Sequence, residues 1–229
     1  MTGPTATLQR DRHLLVRSGT AERVAAILRD RITEGVFLPG TRLSEPSISA
    51  ALGVSRNTLR EAFQLLAHER LAVHELNRGV FVRELSAPDI EDLYQVRRMV
   101  ECGAVRLAGE RGNRGFSAIE QAIVDGQRAA AEERWREVGS ASIHFHQALV
   151  DLAGSDRASA TARQVLAETR LFFVLTESTR AFFEPYIVRH RRILRHLERG
   201  RPDLAEQALE KYLRAAEKQL LAAYERRSG

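Results

Sequence analysis

The stretch LGVSRNTLREAF, residues 52–63, permits little besides a tight turn followed by a capped helix. Gly53 supplies the turn, and Ser55 offers an oxygen to the N–H groups of the first helical turn, which have no partner inside the helix. Val54 and Leu59 occupy the two positions of a hydrophobic staple around that cap. From Leu59 an apolar face runs through Ala62, Phe63 and Leu66, while Arg56, Asn57, Arg60 and Gln64 share the opposite face. Such a helix has a core on one side and aims hydrogen-bond donors at something outside the fold.

Its neighbours complete a small domain. Apolar Val24, Ile27, Leu28 and Ile32 mark a helix from Ala21 to Thr33, which the glycines and proline of EGVFLPG end. A second short helix follows with Ser44 as N-cap, and Pro46 is tolerated in its first turn. After the capped helix, LAVHEL and VFVREL alternate around NRG and predict a two-stranded hairpin, with Gly79 supplying positive φ. Helix, helix, glycine turn, helix and hairpin form a winged helix-turn-helix. A recognition helix enters the major groove by its N-terminal turns, where arginine bonds guanine and asparagine bonds adenine through paired contacts. Ser55, Arg56, Asn57, Thr58 and Arg60 are therefore candidate contacts to double-stranded DNA.

The chain has 229 residues, 44% of them hydrophobic, room for one large or two modest domains. LSAPD, residues 85–89, separates the mixed first segment from one that reads as helix after helix. The reading is thus of a mainly α protein: a tail over 1–19 without regular structure, a winged domain over 20–85, and an all-helical bundle over 86–229. The first 85 residues carry 12 Arg or Lys against 9 Asp or Glu, and the rest 23 against 21, so the shorter segment is the more basic. One cysteine, Cys102, excludes an internal disulfide and a multi-cysteine metal site. No apolar run approaches the roughly 18 residues of a membrane span, and the first twenty residues lack the apolar core of a secretory signal; a cytoplasmic protein is expected.

Residues 35–82, GVFLPGTRLSEPSISAALGVSRNTLREAFQLLAHERLAVHELNRGVFV, closely resemble the DNA-binding domain of GntR-family bacterial transcription regulators. The resemblance implies that Arg56, Arg60 and Gly79 contact DNA and that Arg42 and Arg78 touch its backbone. Two positions depart from the family pattern. Pro46 stands where many members carry an arginine that grips DNA. Arg70 stands where the family has glycine, which implies either a changed turn or an arginine strained into positive φ.

In the second segment a helix starting near Pro88 sets Arg97 on the core-facing stripe of Ile90, Leu93, Val100, Ala104 and Leu107. An arginine there must find an anion: Glu101 one turn later, or a ligand carboxylate held by a bidentate fork. His146 shares a face with Leu149, Val150 and Ala153, and His190 with Ile187, Ile193, Leu194 and Leu197, positions that suit hydrogen-bonded core histidines. Trp135, Phe145, Phe172, Phe173, Phe182 and Phe183 fit helix packing, with the FF pairs also suited to lining a pocket or a dimer face.

The stretches DLYQVRRMVECGAVRLAGE (92–110), IHFHQALVDLAG (143–154) and HRRILRHLERGRPDLAEQALEKYL (190–213) resemble the all-helical FCD effector-binding domain of the FadR subfamily. The resemblance implies a homodimer and a small effector, commonly a carboxylate. In metal-binding FCD domains four positions supply Asp, His, His and His, and these fall here on Ser142, His146, His190 and Tyr212. Serine and tyrosine are poor ligands at neutral pH, and His146 and His190 alone leave a weak, open metal site. The expectation is a pocket in which Arg97, Ser142, His146, His190 and Tyr212 hold an organic acid or polar effector with no metal required.

The function expected is a ligand-responsive dimeric regulator, a repressor in most of the family, on a palindromic operator. An effector-blind regulator with a filled helical core is the alternative. Catalysis is not expected: the helical segment lacks room for a pyridoxal-phosphate domain, and no oriented acid or oxyanion donor accompanies Ser142 and His146.

Overall fold

The computed structural model describes residues 12–33, 35–175 and 180–228. The chain divides into two compact units, Met1–Glu84 and Leu85–Gly229.

In the first unit α1 (Arg12–Thr33) packs on α3 (Arg56–His68), with α2 (Glu45–Leu52) beside α3. The buried face of α1 is Ala21, Val24, Ala25, Leu28 and Ile32, set against Leu59, Ala62, Phe63 and Leu66. Ile27 lies off this stripe and is largely exposed, because Ala25 completes the three- and four-residue spacing instead. Helix α1 also starts at Arg12, so residues 12–19 are helical where a tail was expected. The sequence HLLVRS contains no proline or glycine to stop the helix from extending toward its N-terminus. Residues 1–11 of the expected tail lie outside the described residues.

Ser44 occupies the N-cap position of α2 but makes no capping bond; its hydroxyl pairs with Ser47 Oγ at 3.0 Å. The helix end is fixed instead by Pro46 in the first turn and by Gly53, left-handed at φ 64°. Ser55 does cap α3, its Oγ accepting from Thr58 N at 3.1 Å. Arg70 is left-handed at φ 57°, which settles the alternative stated for that position in favour of strain. It closes α3, with Arg70 N bonded to Ala67 O and Leu71 N to Leu66 O.

Strands β1 (Ala72–Glu75) and β2 (Gly79–Val82) pair antiparallel from Ala72 opposite Val82 to Glu75 opposite Gly79. Both Asn77, at φ 60°, and Gly79, at φ 111°, take the positive φ that turns this wing. Residues 40–43 run along the other edge of β2, with Leu43 N bonded to Val80 O and Val82 N to Thr41 O. Arg42 is thereby set beside Gly79: a Cβ there would lie 3.4 Å from Arg42 Nε.

The second unit is helical throughout its described residues. Helix α4 (Ala87–Arg97) begins with a capping box, Ser86 N donating to Asp89 Oδ2 and Asp89 N to Ser86 Oγ. It runs into a π-helical turn, Arg98–Cys102, and then α5 (Gly103–Glu110). Helices α6 (Ser117–Ala131), α7 (Trp135–Asp151), α8 (Asp156–Leu175), α9 (Arg180–Glu198) and α10 (Pro202–Ser228) follow. The closest pairings are α6 with α7, α9 with α10 and α7 with α8, while α10 also covers α4 and α5. Gly109 is required here, since a Cβ would meet Pro202 Cβ at 2.3 Å.

The exposed, left-handed Arg70 yields a test. A glycine there relieves a cost of about 1–2 kcal/mol at the expense of a more flexible unfolded chain. Arg70→Gly is expected to raise the free energy of unfolding in denaturant titrations by up to about 1 kcal/mol; a lowered value would contradict the assigned strain.

Candidate functional sites

The first site is the solvent face of α3. Arg56, Asn57, Arg60 and Gln64 are exposed, as is the cap Ser55, while Thr58 is half-buried and Leu59 faces the core. Two devices orient this face. The Ser55 cap fixes the first turn, and Arg60 Nε donates to both carboxylate oxygens of Glu45 on α2, at 3.0 and 3.1 Å. That hydrogen bond, with the Glu45 charge, raises the Arg60 pKa further above its ordinary value. Glu45 was not singled out from the sequence, because an arginine on one helix and a glutamate fifteen residues earlier show no periodic relation. On the wing, Arg78 pairs with Glu75 and lies 5.3 Å from the centroid of the Phe81 ring. Arg42 and Gly79 adjoin one another. Leu76, at the tip, is 89% exposed.

The second site is a cavity inside the helical unit, lined by Tyr94 and Arg97 of α4, Ser142 and His146 of α7, Phe173 of α8, Phe182, Phe183 and Tyr186 of α9, and Tyr212 of α10. It contains about 320 Å³ of space unfilled by atoms, counted out to its mouth. A second hollow of about 290 Å³ shares Ser142, Phe183 and Tyr186 and reaches His190. The five residues expected to hold an effector are thus brought together by four helices. Of the paired phenylalanines, Phe173, Phe182 and Phe183 both pack on one another and line the cavity. Phe145 is pure core and stacks on His190 at 4.0 Å between ring centroids.

A chain of buried polar groups runs along one wall. Arg97 Nε donates to Glu101 Oε1 at 2.7 Å, and Glu101 Oε2 lies 2.6 Å from His146 Nδ1. These three side chains are 3%, 1% and 1% exposed. Of the two anions open to Arg97 from the sequence, the structure supplies the internal one. Glu101 sits within the π-helical turn, whose extra residue is a feature often found beside functional sites and has no signature in the apolar periodicity. A second network joins Tyr212 OH to Ser142 Oγ at 3.3 Å and to His190 Nε2 at 3.1 Å.

Charge states follow from these partners. Burial opposes the Glu101 carboxylate, but Arg97 and His146 outweigh it and hold the group below its ordinary range. Burial likewise opposes the Arg97 cation, and Glu101 more than compensates. Burial, aided by Arg97, lowers the His146 pKa against the pull of Glu101. Burial, with His146 and Arg97 adding to it, depresses His190 well below the usual histidine value. With Glu101 ionised and His146 neutral, the His146 proton sits on Nδ1 and Nε2 is a bare acceptor. Two fully buried atoms on this wall have no hydrogen-bond partner: Arg97 Nη2 and His146 Nε2.

The set at the four metal positions does not fit a transition metal. It offers two neutral imidazoles, a serine hydroxyl and a tyrosine whose pKa burial raises, with the Arg97 guanidinium in the same wall. No group of three or more His, Cys, Asp or Glu suited to a metal occurs among the described residues.

Residues 20–82 match the bacterial regulatory proteins of the gntR family, and residues 92–215 match the FCD domain. The chain belongs to the GntR family and carries an FCD domain. It is similar to the crystal structure of a GntR transcriptional regulator from Rhodococcus sp. RHA1, with 47% identity, a TM-score of 0.85, and coverage of 90% of this chain and all of that one. It is 34% identical over 134 residues to the Nta operon transcriptional regulator of Aminobacter aminovorans, a match spanning 58% of this chain and 64% of that regulator's length. A D-xylose utilization operon transcriptional repressor of Paenarthrobacter nicotinovorans is 28% identical over 88% of each chain. These relatives are named as regulators of transcription, not as enzymes. This GntR protein has no described helix long and apolar enough to cross a membrane.

The two buried histidines make stability depend on pH. Their folded-state values lie below that of an exposed histidine, so below about pH 6.5 the unfolded chain binds more protons than the folded one. Stability is therefore complete above that pH and falls as acid is added, by up to about 1.4 kcal/mol per pH unit for each histidine. Thermal melts from pH 7 to pH 5 are expected to show the helical unit weakening, and His190→Gln, which cannot titrate, to flatten the slope. An unchanged slope would contradict neutral burial of His190.

Proposed function

We propose that this GntR-family regulator binds a palindromic operator as a homodimer, represses there, and leaves the operator when a small metabolite enters the FCD cavity. The observation that carries the DNA half is the row Arg56, Asn57 and Arg60 on the solvent side of a helix whose cap and core are both fixed. Arginine and asparagine in the first two turns suit guanine and adenine edges, and the helix N-terminus suits the phosphate wall. Arg42, Arg78 and Gly79 make the wing a second contact, and two-fold symmetry sets two such units on half-sites along one face of the duplex. A cytoplasmic location follows from that role.

The effector half rests on Arg97 Nη2 and His146 Nε2. A filled, effector-blind core would leave two buried polar atoms unsatisfied, each at a cost of about 1–3 kcal/mol. Repression is supported by relatives named as repressors, among them the D-xylose utilization repressor. The resemblance to FCD domains makes a small organic acid the default effector. Effector and operator are coupled reciprocally: whatever factor the effector takes from operator affinity, the operator takes from effector affinity.

Operator binding by fluorescence anisotropy at fixed salt tests the reading. Arg56→Ala is expected to weaken specific binding at least about tenfold, the loss of one paired base contact, with little change on random duplex. Arg97→Ala strips Glu101 of its counter-charge and lowers stability, so its helical content and dimer mass are checked first; the folded variant is expected to bind operator normally and to lose effector-induced release. Specific binding unchanged in Arg56→Ala, or normal release in Arg97→Ala, would overturn the respective half.

A further inference from the structure

Among the described residues, the wall of the FCD cavity carries no net charge. Among the described residues on its wall the ionised groups are Arg97 and, behind it, Glu101, and these two already neutralise one another. What the wall lacks is hydrogen-bond partners of opposite kinds. Arg97 Nη2 has an N–H with no acceptor, and His146 Nε2 has a lone pair with no donor. A carboxylate supplies only acceptors. It would satisfy Arg97, face His146 Nε2 lone pair to lone pair, and leave one net negative charge buried beside Glu101. Rescue would require a proton on His146, which burial and the neighbouring guanidinium both oppose.

A hydroxyl both accepts and donates, and so matches both orphaned atoms without adding charge. The Ser142 and Tyr212 hydroxyls, each able to rotate, extend the same kind of pairing along the cavity. Apart from Ile143 and Ala216 the remaining wall is aromatic, with Tyr94 and Tyr186 beside three phenylalanines. Ring faces carry negative charge density that attracts the polarised C–H bonds of a carbon chain bearing hydroxyls.

We propose that this cavity binds a neutral polyhydroxylated molecule, a sugar or polyol, whose hydroxyls accept from Arg97 Nη2 and donate to His146 Nε2. The inference rests on the reading of the cavity as an effector site and narrows the ligand's chemistry away from the organic acid.

Isothermal titration of the full-length protein with matched sets tests it: D-xylose, xylitol and D-xylonate; D-glucose, D-glucitol and D-gluconate; and succinate and citrate as simple acids. At pH 8 a neutral member is expected to bind at least about tenfold more tightly than its aldonate, with no proton exchanged between buffers of different ionisation heat. Tighter binding by the acids would overturn the neutral ligand and keep the effector site. Binding by neither class would overturn both. Glu101→Gln, which strips Arg97 of its counter-charge, is expected to swing the preference toward the aldonate; a folded Glu101→Gln protein that still prefers the neutral member would contradict the charge argument.

Discussion

The helical unit depends on one buried chain of charge and hydrogen bonds, Arg97 to Glu101 to His146. It ties α4 to α7 through a π-helical turn, at a point where all three side chains are shielded from water. Isolated, the guanidinium or the carboxylate would be too costly to bury; together, and with the imidazole as third member, each has a partner of the right kind. Removing Arg97 or Glu101 leaves the other charge buried without its partner, a loss of the order of 3–5 kcal/mol. The same chain determines what the cavity can receive. By using up the charge of Arg97 internally and pinning the His146 proton on Nδ1, it turns an arginine and histidine pair from an anion trap into one donor and one acceptor.

The winged unit relies on a similar economy at its surface. Arg60 is not left to search solvent but is held across two helices by Glu45, which limits the conformations it can adopt. The Ser55 cap and the packing of Leu59 beneath it set the direction of the whole row. Gly79 takes a φ of 111° that suits glycine, and residues 40–43 bond along β2, so the edge and the wing turn form one unit.

Much of this was legible where local chemistry decides the outcome. The cap at Ser55, the core face of α3, the hairpin and the left-handed alternative at Arg70 are all written in neighbouring residues. So was Glu101 as one of two anions open to Arg97. The misreadings share a cause, which is that position along the chain does not say which of several local options tertiary packing selects. Ser44 sits at a cap but bonds Ser47; Ile27 is apolar but yields its place to the smaller Ala25; residues 12–19 extend a helix where no stop signal exists. The π-helical turn was invisible because one inserted residue shifts apolar spacing by less than the pattern's own scatter. Tyr94 and Tyr186 joined the cavity without warning, since aromatic residues at helical spacing read as ordinary core.

Everything said of the cavity wall requires a neutral His146, with its proton on Nδ1, beside an ionised Arg97 and Glu101. Nitrogen-15 chemical shifts of the His146 ring in the full-length protein at pH 7 measure this directly. One protonated nitrogen, Nδ1, and a bare Nε2 are expected; a doubly protonated ring, or the proton on Nε2, would overturn the neutral assignment.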